Sequence, residues 1–323
     1  MVYARPWQSF QQQLELLKSR GMQATDEPAA LRYLERIGYY RLSAYWYPFR
    51  KFSIHQDPAT KVLVYQRQNE FEPNTQFIDS VNLYLFDKKL RLHVLDALER
   101  IEVALRVDIA YLLGQKDTFA YKNIGNFHPK FANKINRKSD TAEHQAWLAK
   151  YQSLCDRSKE DFVAHYLNKH GPDLPIWVAI ELWDFGALSQ LFAMMKVPDQ
   201  SAIAIKYGVN DFKVFASWLR SLNYLRNLAA HHSRLWNRNV IDQPKLPAEK
   251  TIAWCDEFIG KNDLIAKPFL LLAITNHLIK KVCPNTAWNT RVKTHLLNFP
   301  QLLSDKKLGI ESIGVVQYWQ DWW

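Results

Sequence analysis

Trp218-Leu219-Arg220-Ser221-Leu222-Asn223-Tyr224-Leu225-Arg226-Asn227-Leu228-Ala229-Ala230-His231-His232-Ser233-Arg234-Leu235-Trp236-Asn237 is the stretch on which the reading of this chain turns. Apolar residues recur at Phe212, Phe215, Leu219, Leu222 and Ala229. That spacing predicts a helix with one buried stripe. Arg226 falls along the stripe, and a guanidinium on a buried face calls for an anionic partner. Asn227 and His231 are four apart and share a neighbouring face. Arg226 and His231 are five apart, about 140° around a helix of 3.6 residues per turn. One small ligand could meet both only if the helix ends near His231 or the arginine reaches around. The polar run His231-His232-Ser233-Arg234, and the loss of periodicity after Trp236, predict that helix end.

These residue types suit cleavage of RNA by its own 2′-hydroxyl, which needs proton transfer and charge stabilisation at one phosphodiester and no cofactor. A histidine can take or give a proton near neutral pH. An arginine can grip a phosphate through two parallel N–H bonds and hold charge that builds in the transition state. Asn227 could orient the imidazole or a phosphate oxygen. The residues alone leave another reading open, in which Arg226 is a core salt-bridge residue and His231 a helix-end group favoured by the dipole.

The R-x4-H spacing of Arg226 and His231, with asparagine directly after the arginine, resembles the motif of the HEPN ribonuclease superfamily. The longer run Leu225 to Asn237 looks like the abortive-infection Abi family of the AbiD/AbiF type. A second stretch, Ile37-Gly38-Tyr39-Tyr40-Arg41-Leu42-Ser43-Ala44-Tyr45-Trp46-Tyr47-Pro48-Phe49, resembles that family's N-terminal signature, so the resemblance spans most of the chain. Without it, Tyr39, Tyr40, Tyr45, Trp46 and Tyr47 read as a small core wedge before a base-stacking platform beside Arg41 and Arg50.

The resemblance implies an all-α fold: a HEPN-like helical bundle over residues 74–323, with a helical, aromatic extension over 1–73 and a small β-hairpin. It implies a metal-independent endoribonuclease toxin of phage defence, leaving a 2′,3′-cyclic phosphate and a 5′-hydroxyl. His231 would act as general base or acid, Arg226 would hold the scissile phosphate, Asn227 would orient groups, and His232 and Arg234 would be auxiliary. It also implies a homodimer in which two motifs face one composite site, and an antitoxin, for which a small non-coding RNA is one candidate. The competing reading is a non-catalytic RNA-binding or partner-binding module on the same scaffold; a DNA-binding regulator ranks last, since no helix-turn-helix pattern stands out.

Composition agrees with a packed helical protein. The 323 residues are 48% hydrophobic and 14% aromatic with only 10 glycines, and fit one large domain or two ordinary ones. The formal charge of +10, from 42 Lys+Arg against 32 Asp+Glu, favours a polyanionic partner. Cys155, Cys255 and Cys283 are scattered, which argues against a disulfide framework or a cysteine zinc site and fits a reducing cytosol. The start, Met1 to Gln8, lacks a signal-peptide apolar run. The most apolar run, Phe269 to Thr275, is far short of the roughly 20 residues that span a bilayer. The expectation is a soluble cytoplasmic protein without a membrane partner. No HExxH, GxGxxG or Walker glycine loop occurs. His231 and His232 point about 100° apart on a helix, awkward for one ion, so no metal or cofactor is expected.

Along the chain, helices are predicted over 7–20, 29–37, 75–113 (with room for one break), 141–155, 159–169, 198–206, 211–231, 249–260, 267–281 and 288–297, and a strand or hairpin over 62–71. The apolar segment 174–186, leading into 187–195, reads as the central core helix. Asp87 falls in the stripe of the long helix and Glu102 at its edge. Both are expected to pair with a neighbouring cation, Arg226 included, and are supporting-residue candidates. The aperiodic stretch 114–140 carries Lys122, Lys130, Lys134, Arg137 and Lys138, a solvated connection that could contact RNA. The aromatic tail Gln317–Trp323 could dock on the body or on a partner.

Overall fold

The computed structural model describes residues 6–137 and 139–323. Lys138, and the first five residues of the start read for a signal peptide, lie outside the described residues. Three short helices come first: α1 (Phe10–Ser19), α2 (Glu27–Ile37) and α3 (Tyr39–Trp46). Ser9 and Gln12 cap α1 reciprocally. Asp26 accepts the Ala29 N–H at 2.8 Å, with Pro28 in the first turn of α2. Gly38 separates α2 from α3 at a φ of 91° that glycine takes without strain.

An antiparallel hairpin follows, β1 (Arg50–Gln56) with β2 (Leu63–Phe71), Ile54 opposite Tyr65. Only the second strand was legible in the sequence. The first, Arg-Lys-Phe-Ser-Ile-His-Gln, is mostly exposed and buries no face that would impose alternation.

The axis of the molecule is α4 (Phe77–Gly114). Its 38 residues span about 57 Å at 1.5 Å per residue. It runs unbroken, because no glycine or proline interrupts it before Gly114. Leu83, Leu90, Val94, Leu98, Ile101 and Leu105 are fully buried along it.

Beyond α4, the stretch 114–140 is organised by α5 (Pro129–Ala132) and the two-residue pairing of β3 (Ile135–Asn136) with β4 (Thr141–Ala142). Then come α6 (Glu143–Arg157) and α7 (Asp161–His170). The segment expected to form one central core helix breaks in two. α8 (Ile176–Ala179) and a 3₁₀ turn end at Trp183, and α9 (Phe185–Met194) starts afresh. Asp184 causes the break: its carboxylate accepts the Ala187 N–H at 2.6 Å, an N-cap that requires non-helical backbone at Asp184. The segment is largely buried, but the centre belongs to α4.

The remaining helices are α10 (Val197–Lys206), α11 (Phe212–Ala230), α12 (Asn262–Ile265), α13 (Pro268–Val282), α14 (Trp288–Leu297) and α15 (Trp319–Trp322). The helix expected over 249–260 is a 3₁₀ turn, Ala253–Phe258. Cys255 and Phe258 face inward three residues apart, as three residues per turn requires. α3, α8, α11, α13 and α14 all pack on α4. The aromatic tail docks on the body: the Trp323 ring stacks on Phe269 and its Nε1 donates to the Asn289 carbonyl at 2.8 Å. The fold is thus mostly α, with two small two-stranded sheets among the described residues. Among them no helix is long and apolar enough to cross a membrane.

Candidate functional site

The motif helix α11 begins at Asp211, whose carboxylate accepts the Lys213 N–H, and ends one residue before His231. The end is a Schellman closure. The His232 N–H donates to the Ala229 carbonyl at 3.1 Å and the Ser233 N–H to Leu228 at 2.9 Å. His232 takes the left-handed position, φ 55°, usually given to glycine. His231 occupies the C-cap and is exposed. The predicted helix end is therefore real and sits where the histidine can meet solvent.

Two buried side chains of α4 hold the loop beyond it. The Asp87 carboxylate, fully buried, accepts the backbone N–H groups of Leu235 at 3.0 Å and Trp236 at 2.8 Å. It also accepts the Tyr45 hydroxyl at 2.7 Å and Arg91 Nη1 at 2.5 Å. Arg91 reaches on to the Ser233 carbonyl at 3.3 Å. Burial pushes the Asp87 carboxyl up, opposed by the Arg91 charge and by the donated hydrogen bonds. The partner of Asp87 is thus Arg91 on its own helix, not Arg226. From the N-terminal side, Arg41 Nη1 donates to the His232 carbonyl at 2.9 Å, and Arg234 Nη1 to the Ala44 carbonyl at 2.7 Å. Arg234 therefore ties the motif loop to α3. Of the aromatic stretch, Tyr45 and Trp46 are core, while Tyr40 is 90% exposed.

Arg226 is half-buried and makes no hydrogen bond or ion pair among the described residues. Its charge acts on two carboxylates. Glu102, nearly buried, is pushed up by burial against the pull of Arg106 and Arg226. It pairs with Arg106 Nη2 at 2.6 Å, and the same nitrogen donates to the Trp183 carbonyl at 2.8 Å. Burial would raise Asp184 too, but Lys150, the Ala187 N–H and Arg226 outweigh it and hold that carboxyl below the usual range. Asn227 lies half-buried between the arginine and histidine faces. The helix thus presents a poised guanidinium on one side and a free imidazole at its end, without bringing the two together within one chain.

Lys122 pairs with Asp173, Lys130 and Arg137 are exposed, and Lys134 lines a cleft beside α11. Arg220 and Lys150 share that cleft and were missed. Arg220 could have been found, since it precedes Asn227 by two helical turns; nothing local marks Lys150. Among the described residues, no three His, Cys, Asp or Glu side chains converge as a metal ion would require.

Fold and site together define a helical-bundle protein whose R-x4-H helix end is locked to a long central helix by a buried carboxylate. The chain belongs to the Abi-like protein family, whose model matches residues 32–237, from within α2 to the loop that Asp87 holds. Membership points to abortive infection, a form of phage defence. Comparison with curated proteins and with solved structures finds no match.

Proposed function

We propose that the protein is a metal-independent endoribonuclease of the HEPN type, acting as a toxin in phage defence. The observation that carries this reading is the pairing of a half-buried, unpaired Arg226 with an exposed His231 at an ordered helix end. A guanidinium near carboxylates but hydrogen-bonded to none of them among the described residues suits an anion brought by a ligand, and an exposed imidazole at a fixed C-cap suits proton transfer.

In the reaction, His231 takes the 2′-hydroxyl proton as that oxygen attacks the adjacent phosphorus. The bond to the 5′-oxygen breaks, and that oxygen takes a proton from solvent water, while the protonated His231 returns its own proton to solvent. The products are a 2′,3′-cyclic phosphate and a 5′-hydroxyl. Arg226 binds the non-bridging oxygens as charge builds there, and Asn227 orients the imidazole or a phosphate oxygen. His232 and Arg234 support the geometry through their backbone and loop contacts.

About 140° separates Arg226 and His231 around α11, which favours a composite site in a homodimer, with arginine from one copy and histidine from the other. An exposed apolar strip on α4, Val103, Val107 and Tyr111, lies next to Arg106 and offers a surface for the second copy. In the cell, a cytoplasmic location and an antitoxin, RNA or protein, complete the reading.

The test is incubation of purified protein with total RNA in the presence of EDTA, with end-group analysis and sedimentation. Cyclic-phosphate ends that persist in EDTA and vanish in His231→Ala support the enzyme. Cleavage abolished by EDTA, or unchanged in His231→Ala, overturns it. RNA binding without any cleavage leaves the non-catalytic module.

A further inference from the structure

We propose that the cleft between α6, α9 and the first half of α11 is a second seat for single-stranded RNA, gripping backbone phosphate upstream or downstream of the scissile bond. The proposal rests on the ribonuclease reading and adds a subsite to it. The cleft holds about 520 Å³ and is lined by Lys134, Lys150, Arg220, Gln190, Trp147 and Phe131 among others.

Its charge is the first argument. Three cations face it, and its one carboxylate, Glu143, is engaged by the Asn136 amide at 2.9 Å. Lys150 Nζ donates to Asp184 at 2.9 Å. The side chains of Arg220 and Lys134 make no hydrogen bond or ion pair among the described residues. Two unpaired cations, Arg220 and Lys134, beside a third that is paired, in a concave surface, favour a polyanion.

Continuity with the motif is the second. Arg220, Asn223 and Asn227 stand at i, i+3 and i+7 on α11, one polar line on one face. It leads from the cleft to His231, eleven residues on, about 16 Å along the helix. Asn223 lies against the start of α9: a Cβ on Gly186 would sit 3.4 Å from its Oδ1 and 3.2 Å from the Asp184 carboxylate. Asp184 thus links Lys150 of the cleft with the field of Arg226. A ligand that fills the cleft and follows this line is extended, as a strand is and a free nucleotide is not. Phe131, about half exposed at the rim, offers a face for a base.

The test uses the full chain carrying His231→Ala and a fluorescein-labelled short single-stranded RNA, read by anisotropy across a salt series. Adding Arg220→Ala and Lys134→Ala is expected to weaken binding about 10-fold or more, and to lower the slope of log K against log salt by about 1.4, or roughly 0.7 for each lost phosphate contact. Arg220→Lys should keep most of the slope. Both sites are exposed, and circular dichroism checks that the fold persists. Unchanged affinity and slope overturn the subsite, as does equal loss of binding to duplex and single-stranded RNA. If neither the wild type nor any variant cleaves RNA but the double variant still loses binding, the ribonuclease reading falls and the subsite stands. If His231→Ala abolishes cleavage while the cleft variants bind and cleave normally, the subsite falls alone.

Discussion

The Asp87 carboxylate accepts the Trp236 backbone N–H at 2.8 Å across 149 residues of chain. One buried carboxylate in the first third of α4 therefore holds the segment that follows the motif helix. Through Tyr45 it also takes hold of the aromatic N-terminal stretch, so the two parts of the chain that carry the family resemblance meet at this group. Eight residues earlier, Asp79 does the same for the C-terminal segment, accepting the N–H groups of Leu303 at 3.0 Å and Ser304 at 2.7 Å. α4 anchors distant loops by burying acceptors on a rigid rod, each satisfied by backbone donors that would otherwise be orphaned.

Asp87→Ala is expected to cost about 3–5 kcal/mol, because it leaves the Arg91 charge and two backbone donors buried without their acceptor. Tyr45→Phe removes two hydrogen bonds, the one donated to Asp87 and the one accepted from Arg91 Nη1 at 3.1 Å, and should cost about 2 kcal/mol. Urea titrations read both. Similar costs for the two would mean that the carboxylate is not the anchor.

His231→Ala should reduce cleavage by about 10²–10⁴-fold, the usual contribution of a positioned acid or base. Its side chain is exposed, so stability should stay within about 0.5 kcal/mol. Single-turnover cleavage alongside thermal melts separates the two effects.

His232 occupies a left-handed position, where a non-glycine residue costs roughly 1–2 kcal/mol. His232→Gly should raise the melting temperature, and His232→Val should lower it. If His232 also took part in chemistry, the glycine variant would lose cleavage as it gained stability, and rates at matched temperature would reveal it.

Arg226→Ala should lower kcat about 10²–10³-fold, as loss of one transition-state donor does elsewhere. Arg226→Lys keeps the charge but not the two-pronged grip and should recover only part of the rate. Full recovery by lysine would reduce the arginine to a point charge.

Acid should destabilise the protein through its histidines. Burial holds His93, His144, His277 and His295 below their ordinary range, the last down to about 4, with Nε2 of His295 on the Phe86 carbonyl at 2.9 Å. A histidine lowered by folding binds its proton first in the unfolded chain. Its contribution is complete above the unfolded value of about 6.5 and is lost as pH falls toward about 4. Glu102 and Asp87, raised by burial, run the other way. The informative measurement is therefore melting temperature from pH 7 to 4.5 for wild type against His295→Gln, whose curve should be flatter.

Much of the helical framework was legible. The stripe of α4 uses residues within one or two turns of each other, which periodicity reads directly. The break at Asp184 was not, because a uniformly apolar segment hides an N-cap behind its helical pattern. The first hairpin strand escaped because an exposed strand need not alternate. At the site, the helix end near His231 was readable from the polar run, but the arginine's surroundings were not.

Local chemistry in the sequence alone determined where most of the helices lie, that the motif helix stops at His231, and that an arginine and a histidine stand five residues apart at its end. Only the tertiary structure decided that Asp87 clamps the loop beyond, that Arg226 acts on Glu102 and Asp184 rather than on Asp87, and that Arg220, Lys150 and Lys134 share one cleft. The reason is range: propensity, capping and periodicity act over a few residues. Which helix faces which is settled by burying whole faces at once, and no single segment carries that information.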